Sequence, residues 1–479
     1  MNDAVAKNIQ IKPGDHVLVV GLGKSGLSAV RFLLQVGARV SVSEGGCLDR
    51  LGRETRRFLD GERVFVEEGG HTSELFCSVD HILLSPGVPL DLPALAAARA
   101  KGVPIFGEMA LAAQFMKTPM VAVTGTNGKS TVVTLLGELF MAAGKKVFVG
   151  GNIGTPLTDY LAGNQDAEVA VLEVSSFQLD TAGNFNPAVG VILNITPDHL
   201  DRYASYADYA DSKFGIVTGQ DGEAAAVLNG DDPEIMSRIG QCPHDRLFLF
   251  GREIADQNGA KVAGAKVELS GLGELENYDL ADTLFAESPN SENAAAAILA
   301  ARLLGCTAES IVKGLASFIP LAHRLTLVAE VGGVRYLDDS KATNIGAVKS
   351  ALQGIGGPVV LIAGGRDKGG DYGLLADSIR QKVKYLLLIG EAREKMAAAF
   401  ADLTIIETSA TLEEAVERAQ QLATSGDTVL LSPACASFDM FSSYVHRGEV
   451  FAAAVKRLTP QVASGAAQFA SEARHACVL

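Results

Sequence analysis

"VAVTGTNGKSTVVTLL", residues 121–136, is the stretch whose reading decides the fold. A β-branched strand runs into a Gly-rich turn, then Lys-Ser-Thr, then an apolar helical pattern, which is how a chain builds a cradle for nucleotide phosphates. Gly125 and Gly128 let the backbone turn its N–H groups toward an anion, and the following helix adds the positive end of its dipole. Lys129 is placed to reach the terminal phosphates, and Ser130 or Thr131 to hold Mg²⁺ through a hydroxyl. Thr126 and Asn127 complete the turn. The loop is also short. The full pattern needs a Gly five residues before Gly128, and this chain has Val123 there. A chance Gly-rich turn is the bland alternative, and the flanking strand and helix argue against it.

Outward from this loop, short apolar runs alternate with helical patterns: HVLVV (16–20), HILLS (81–85), VAVLEV (169–174), VGVILNI (189–195), VVLIAGG (359–365), YLLLIG (385–390) and TVLLS (428–432). Runs of this kind suit strands buried on both faces of parallel sheets with helical crossovers, so the class is α/β. A length of 479 residues suits three domains. The expected boundaries are 1–108, a Rossmann-like domain; 109–320, a central parallel-sheet domain of the phosphate-loop ATPase type; and 321–457, a C-terminal Rossmann-like α/β domain. Residues 458–479, rich in Ala and small polar side chains, read as a loosely held extension.

Bulk properties narrow the function. A net charge of −15 argues against a nucleic-acid binder, although loop amides, a few lysines and a metal ion can still make one site attract anions. The six cysteines (47, 77, 242, 306, 435, 477) lack C-x-x-C spacing, against zinc and against a disulfide framework. No apolar run reaches the roughly 18 residues of a membrane span, and MNDAVAKNIQIKPGD lacks the apolar core of a secretion signal. The expected location is the cytoplasm.

Other constellations carry chemistry with less specificity. GLGKSG (Gly21, Leu22, Gly23, Lys24, Ser25, Gly26) follows a strand and opens a helix, with Glu44 ending the next strand, as in dinucleotide fingerprints; NAD or another phosphate-bearing ligand fits equally. Glu173, Asp198 and His199 stand at strand ends beside the phosphate loop, where they could bind Mg²⁺ or order its water. Lys213 lies among carboxylates on a helix and reads on its own as a surface lysine. Asn290 and Asn293 share a helix face and could contact a base, with helix capping the better reading of the bare sequence. Arg324, Lys341, Arg366 and Lys368 stand in or beside Gly- and Ser-rich loops that suit anions.

Taken together, TGTNGKST (124–131), LEVSSFQL (172–179), NITPDHLDRY (194–203), AHRL (322–325), DDSKATN (338–344) and SPACASFDMF (432–441) resemble the Mur ligases of peptidoglycan synthesis, whose shortened loop is shared with folylpolyglutamate ligases. The GLGKSG start and SPACASFD point to the D-glutamate-adding branch, and the D-N-P-R stretch of the diaminopimelate-adding branch is absent. The resemblance implies three domains, ATP and Mg²⁺ (two ions), and UDP-N-acetylmuramoyl-L-alanine and D-glutamate as substrates of a cytoplasmic monomer with no membrane or nucleic-acid partner. It implies that Gly125–Thr131 bind ATP, with Asn290 and Asn293 on adenine, Asp339 on ribose and Arg324 on the nucleotide. Ser130, Glu173, His199 and a carbamylated Lys213 would serve the metal, and Lys129, His199, Lys213 and Lys341 catalysis, with His199 or a water beside it as base. The GLGKSG loop, Ser43, Glu44, Asn152, Ser175 and Gln178 would hold the UDP substrate; Thr343, Lys368, Ser437, Phe438 and Tyr444 would hold D-glutamate. A sister ligase with another amino acid, or an NAD-dependent oxidoreductase, are the competing readings.

Overall fold

The computed structural model describes residues 9–47, 52–199, 202–220, 222–242, 246–254, 258–319 and 322–458. The boundary expected at 320/321 and the extension beyond Leu458 fall outside these residues; Leu458 itself ends the helix Tyr444–Leu458. The chain forms two compact units, Met1–Ile319 and Pro320–Leu479, the first carrying two β-sheets and the second one.

The first sheet has five strands, β1 (His16–Val20), β2 (Arg39–Glu44), β3 (Phe65–Glu68), β4 (His81–Leu84) and β5 (Ile105–Gly107), in the order β3-β2-β1-β4-β5. All its pairs are parallel. The second has nine: β6 (Met120–Thr124), β7 (Val147–Gly151), β8 (Val169–Glu173), β9 (Val189–Ile192), β10 (Ala225–Asn229), β11 (Leu247–Gly251), β12 (Gly259–Ala263), β13 (Lys266–Ser270) and β14 (Glu276–Asp279). Their order is β14-β13-β12-β11-β10-β9-β6-β8-β7. Strands β6, β8, β9, β10 and β11 are buried on both faces, as their continuous apolar runs require, while edge strand β7 is half-buried.

The last three strands of that sheet are a departure. β12, β13 and β14 pair antiparallel at one edge, where buried Val262, Val267, Leu269 and Tyr278 alternate with polar neighbours. Such alternation marks strands with one wet face, which a search for continuous apolar runs passes over. The second unit repeats the mixture. β15 (Thr326–Val331), β16 (Val334–Asp338), β17 (Val359–Gly364), β18 (Val383–Ile389), β19 (Ile405–Thr408) and β20 (Thr428–Leu431) run β15-β16-β20-β17-β18-β19, with only β15 antiparallel to its neighbour.

Strand order sets where ligands can bind. β6 lies between β8 and β9, and β1 between β2 and β4. At each switch point the connecting loops diverge and leave a crevice at the carboxyl ends of the strands. Helix Asn290–Leu303 packs behind the first of these, against helix Lys129–Ala142. Its run Ala294–Ala297 is wholly buried, and small side chains let the two helices approach closely.

Candidate active site at the carboxyl ends of the strands

The loop after β6 is shaped by two glycines. Gly128 has φ +86°, and a Cβ there would lie 2.5 Å from Asn293 Oδ1; at Gly125, φ +149°, a Cβ would meet Leu193 at 3.0 Å. Gly128 caps helix Lys129–Ala142 with no side-chain hydrogen bond, so the first helical N–H groups are not claimed by a cap. Lys129 Nζ donates to the carbonyls of Gly125 and Thr126 at 2.8 and 2.9 Å, across the mouth of the loop. Thr126 N–H donates to Asn194 O and Asn127 N–H to Asn194 Oδ1, both 2.8 Å.

Ser130 Oγ donates to Glu173 Oε2 at 2.6 Å, and Asn152 Nδ2 to Glu173 Oε1 at 2.7 Å. Thr131 Oγ1 is buried without a hydrogen-bond partner among the described residues. These are hard oxygen donors, the kind Mg²⁺ takes. Among the described residues no three His, Cys, Asp or Glu side chains cluster as a self-sufficient metal cage. That donor set suits Mg²⁺, which keeps water and phosphate oxygens and takes one or two ligands from protein.

Lys213 is not on the surface. It sits on helix Tyr206–Thr218 at 2% exposure, donates to Gly125 O at 2.9 Å, and lies 4.6 Å from the centre of the Tyr209 ring. Burial, and next the Lys129 charge, push it well below the ordinary lysine range, against the pull of Asp198, Asp180 and Glu173. His199 holds φ +55°, packs edge-on to Phe177 at 4.8 Å and lies 3.7 Å from Asp198. Asn290 and Asn293 do not cap their helix: Pro289 is the N-cap, with no side-chain bond. Asn293 turns instead onto the phosphate loop at Gly128, with Asn290 3.5 Å from it.

At the first sheet, Gly21 takes φ +85° and Gly26 packs so tightly that a Cβ would lie 2.0 Å from Gly21 O. Both oxygens of Glu44 hold the turn, Oε2 accepting from Leu22 N–H at 2.7 Å and Oε1 from Gly46 N–H at 2.9 Å. Ser43 is buried, its hydroxyl donating to Glu67 at 2.6 Å beside His71 Nδ1. Lys24 Nζ reaches Gly154 O, and Gly23 caps helix Lys24–Gln35. Ser175 and Gln178 form a reciprocal capping box at helix Ser176–Leu179.

In the second unit, Asp339 Oδ2 accepts from Ser432 at 2.8 Å, and burial pushes its carboxyl up to about 7. Lys341 Nζ lies 5.2 Å from the Tyr444 ring centre, and Lys368 Nζ is 3.4 Å from Thr343 Oγ1. Ser437 is buried and Phe438 is 65% exposed. Arg324 is a neighbouring charge that lowers Asp339. Sequence reading missed Arg447. Fully buried, it donates to Ser340 O at 2.8 Å, Ser340 Oγ at 3.0 Å and Cys435 O at 3.1 Å, tying the DDSK and SPACAS segments together. The signal was present, because Arg447 shares a helix face with buried Phe451, Ala454 and Val455.

Known proteins resemble the chain over nearly all of its length. Residues 15–107 match the model of the Mur ligase MurD-like N-terminal domain, 123–301 the Mur ligase middle domain, and 323–435 the Mur ligase glutamate ligase domain. The UDP-N-acetylmuramoylalanine--D-glutamate ligase of Syntrophotalea carbinolica is 43% identical, over 93% of this chain and 98% of that one. The enzyme of the same name from Desulfosudis oleivorans is 45% identical, over 92% and 96%. Among solved structures, a pseudomurein peptide ligase type C from Methanothermus fervidus has a TM-score of 0.60 at 21% identity, covering 93% of this chain and 100% of its own. The MurF ligase of Thermotoga maritima in complex with ADP has 0.59 at 19%, covering 95% and 99%, and these two show a shared fold. With its short phosphate loop braced from β9 and β8, and with such identity sustained across all three sheets, the chain belongs to the Mur ligase family.

Proposed function

We propose that this chain is an ATP-dependent ligase that joins D-glutamate to UDP-N-acetylmuramoyl-L-alanine in the cytoplasmic synthesis of peptidoglycan precursor. The observation that carries the reading is the buried polar cluster at the loop, Lys213 on Gly125 O and Ser130 and Asn152 on Glu173, in a chain whose relatives bear that activity in their names.

A carboxylate and an amine at neutral pH form a salt, so one of them must be activated. The γ-phosphoryl group of ATP passes to an oxygen of the alanyl carboxylate, its bond to ADP breaking as the acyl phosphate forms. The glutamate nitrogen then attacks the acyl carbon, the C–N bond forms, and phosphate leaves with the C–O bond. Two anions must meet in the first step. The uncapped N–H groups at the start of helix Lys129–Ala142 and the Lys129 ammonium offset their repulsion. Ser130 and Glu173 would hold one Mg²⁺, and His199 and a carbamylated Lys213 a second, supplying positive charge against the phosphates. With His199 on the metal its imidazole has no free lone pair, so a water beside it takes the proton of the attacking amine; His199 itself could do so only if it left the metal.

Lys213 supports this role chemically. Its depressed basicity favours the neutral amine, whose lone pair attacks CO₂; the N–C bond forms, a proton leaves and an anion remains. That anion would stand among Asp198, Asp180 and Glu173, an arrangement that calls for a cation. Asn290 and Asn293 contact adenine, Asp339 ribose, and Arg324 and Lys341 the nucleotide. GLGKSG, Ser43, Glu44, Asn152, Ser175 and Gln178 hold the UDP substrate, while Thr343, Lys368, Ser437, Phe438 and Tyr444 hold D-glutamate. The enzyme works as a monomer without a membrane partner.

Phosphate release from ATP, measured with UDP-N-acetylmuramoyl-L-alanine and a panel of amino acids, tests the reading. Release should depend on D-glutamate and not on L-glutamate, lysine or diaminopimelate. Release driven by another member of the panel would replace D-glutamate with that amino acid.

A further inference from the structure

Glu108 opens helix Glu108–Phe115, directly after β5, and is 2% exposed. No step of the ligation uses it. Its Oε1 accepts both the backbone N–H and the hydroxyl of Thr158, at 3.1 and 3.0 Å. Thr158 Oγ1 lies 2.6 Å from buried Ser28 Oγ. Because the Thr158 proton goes to Glu108, Ser28 is the donor in that contact. Burial raises the Glu108 carboxyl above the ordinary range, against the pull of Thr158, Ser25 and the Leu157 N–H.

These partners belong to two separate loops. Ser25 and Ser28 stand in the GLGKSG turn and its helix Lys24–Gln35. Thr158 is in the first turn of helix Leu157–Ala162, which follows Asn152 and Gly154. Lys24 Nζ crosses the same gap to Gly154 O. A third contact comes from the neighbouring residue: Gly107 N–H donates to Thr181 O at 2.9 Å, and a Cβ at Gly107 would lie 2.1 Å from Thr181 Oγ1. Thr181 lies just past the Ser175–Gln178 box.

We propose that Glu108 is a positioning residue that clamps the GLGKSG turn to the Asn152–Thr158 segment, fixing the distance between the diphosphate end and the acceptor end of one long substrate. The inference rests on the ligase reading above. An apolar residue at this position would leave the Thr158 N–H buried without its acceptor and turn the Thr158 hydroxyl back onto Ser28, so the clamp needs a carbonyl-type oxygen and not a negative charge. Gln supplies that oxygen, and Ala does not.

The test is steady-state phosphate release with D-glutamate, varying each substrate in turn. Glu108→Ala and Thr158→Val should raise KM for the uridine substrate about tenfold, with kcat and KM for ATP within about twofold. Glu108→Gln should restore KM to within about threefold of wild type. An unchanged uridine KM in both truncations, or a Gln variant as weak as Ala, overturns the clamp. Should Glu108→Ala fail to fold, Thr158→Val and Ser28→Ala decide the matter by the same KM readout. A wild-type enzyme inactive with these substrates overturns the ligase reading and the clamp with it; an active wild type with unmoved variants overturns the clamp alone.

Discussion

Lys213→Met should leave the protein folded and slow ligation severely. The choice of Met follows from the packing around a side chain that is 2% exposed. Lys213→Ala would delete about three buried methylenes and cost about 2–3 kcal/mol, blurring activity with stability. Met keeps the stem. Its loss of the Nζ bond leaves Gly125 O still paired with Lys129 Nζ at 2.8 Å, so the penalty should be about 1 kcal/mol or less. Melting temperature should therefore move by only about 2–4 °C. Activity is another matter. An ordinary lysine of pKa 10.5 has about one amine in a thousand neutral at pH 7.5, and each unit of depression multiplies that fraction tenfold. The shift caused by burial and Lys129 thus prepares this amine to take up CO₂. Losing the resulting carbamate should lower kcat on the order of 10²–10³-fold, the scale for removing one preorganised charge from a reacting centre. D-glutamate-dependent phosphate release measures this. Wild type in CO₂-stripped buffer should slow and recover with bicarbonate, and Lys213→Ala should recover partly with millimolar formate or acetate. A Met variant turning over like wild type, or wild type indifferent to CO₂ removal, would refute the reasoning.

Two further outcomes are expected. Gly128→Ala forces a Cβ to within 2.5 Å of Asn293 Oδ1 at φ +86°, so left-handed strain of about 1–2 kcal/mol adds to displacement of Asn293, and ADP affinity by calorimetry should fall at least about tenfold; unchanged affinity would uncouple Asn293 from the loop. Asp339 has a folded pKa of about 7 against 3.8, so the native state keeps a proton that the unfolded chain releases. Its stabilising contribution is complete below about pH 4, is lost as pH rises toward 7, and totals about 4 kcal/mol. Asp339→Asn, uncharged throughout, should give a flatter urea-stability profile across that window, and parallel profiles would sink the assignment.

Much of this molecule is legible in its sequence where local pattern and tertiary context agree. Strands β6, β8 and β9 are continuous apolar runs because the sheet buries both their faces, and the glycines of the phosphate loop sit where φ is positive. Legibility fails where a polar residue's fate is set from a distance. Lys213 looks like a surface charge because Asp208 and Asp211 neighbour it in sequence, yet it shares a helix face with buried Tyr209 and Val217. Asn293 resembles a capping residue because it opens a helix, but its partner is Gly128, far back in the chain. Arg447 hides in an ordinary amphipathic pattern, and only the fold brings Ser340 and Cys435 to its guanidinium.

The missing glycine at position 123 follows from the same distant partners. A longer phosphate loop can hold its shape through its own turns. Here β6 runs straight to Thr124, so the short turn must be held from outside. Asn194 holds Thr126 and Asn127 from the end of β9; Thr126 Oγ1 contacts Thr196 O at 3.1 Å and Tyr209 OH at 3.0 Å. Lys129 and Lys213 both donate to Gly125 O. A loop tied to β9 and to helix Tyr206–Thr218 cannot relax independently of the residues proposed to bind metal, since Lys213 is itself one of the ties. Shortening the loop therefore merges the phosphate cradle and the buried lysine into one rigid unit, and rigidity of that kind is what electrostatic stabilisation of a transferring phosphoryl group requires.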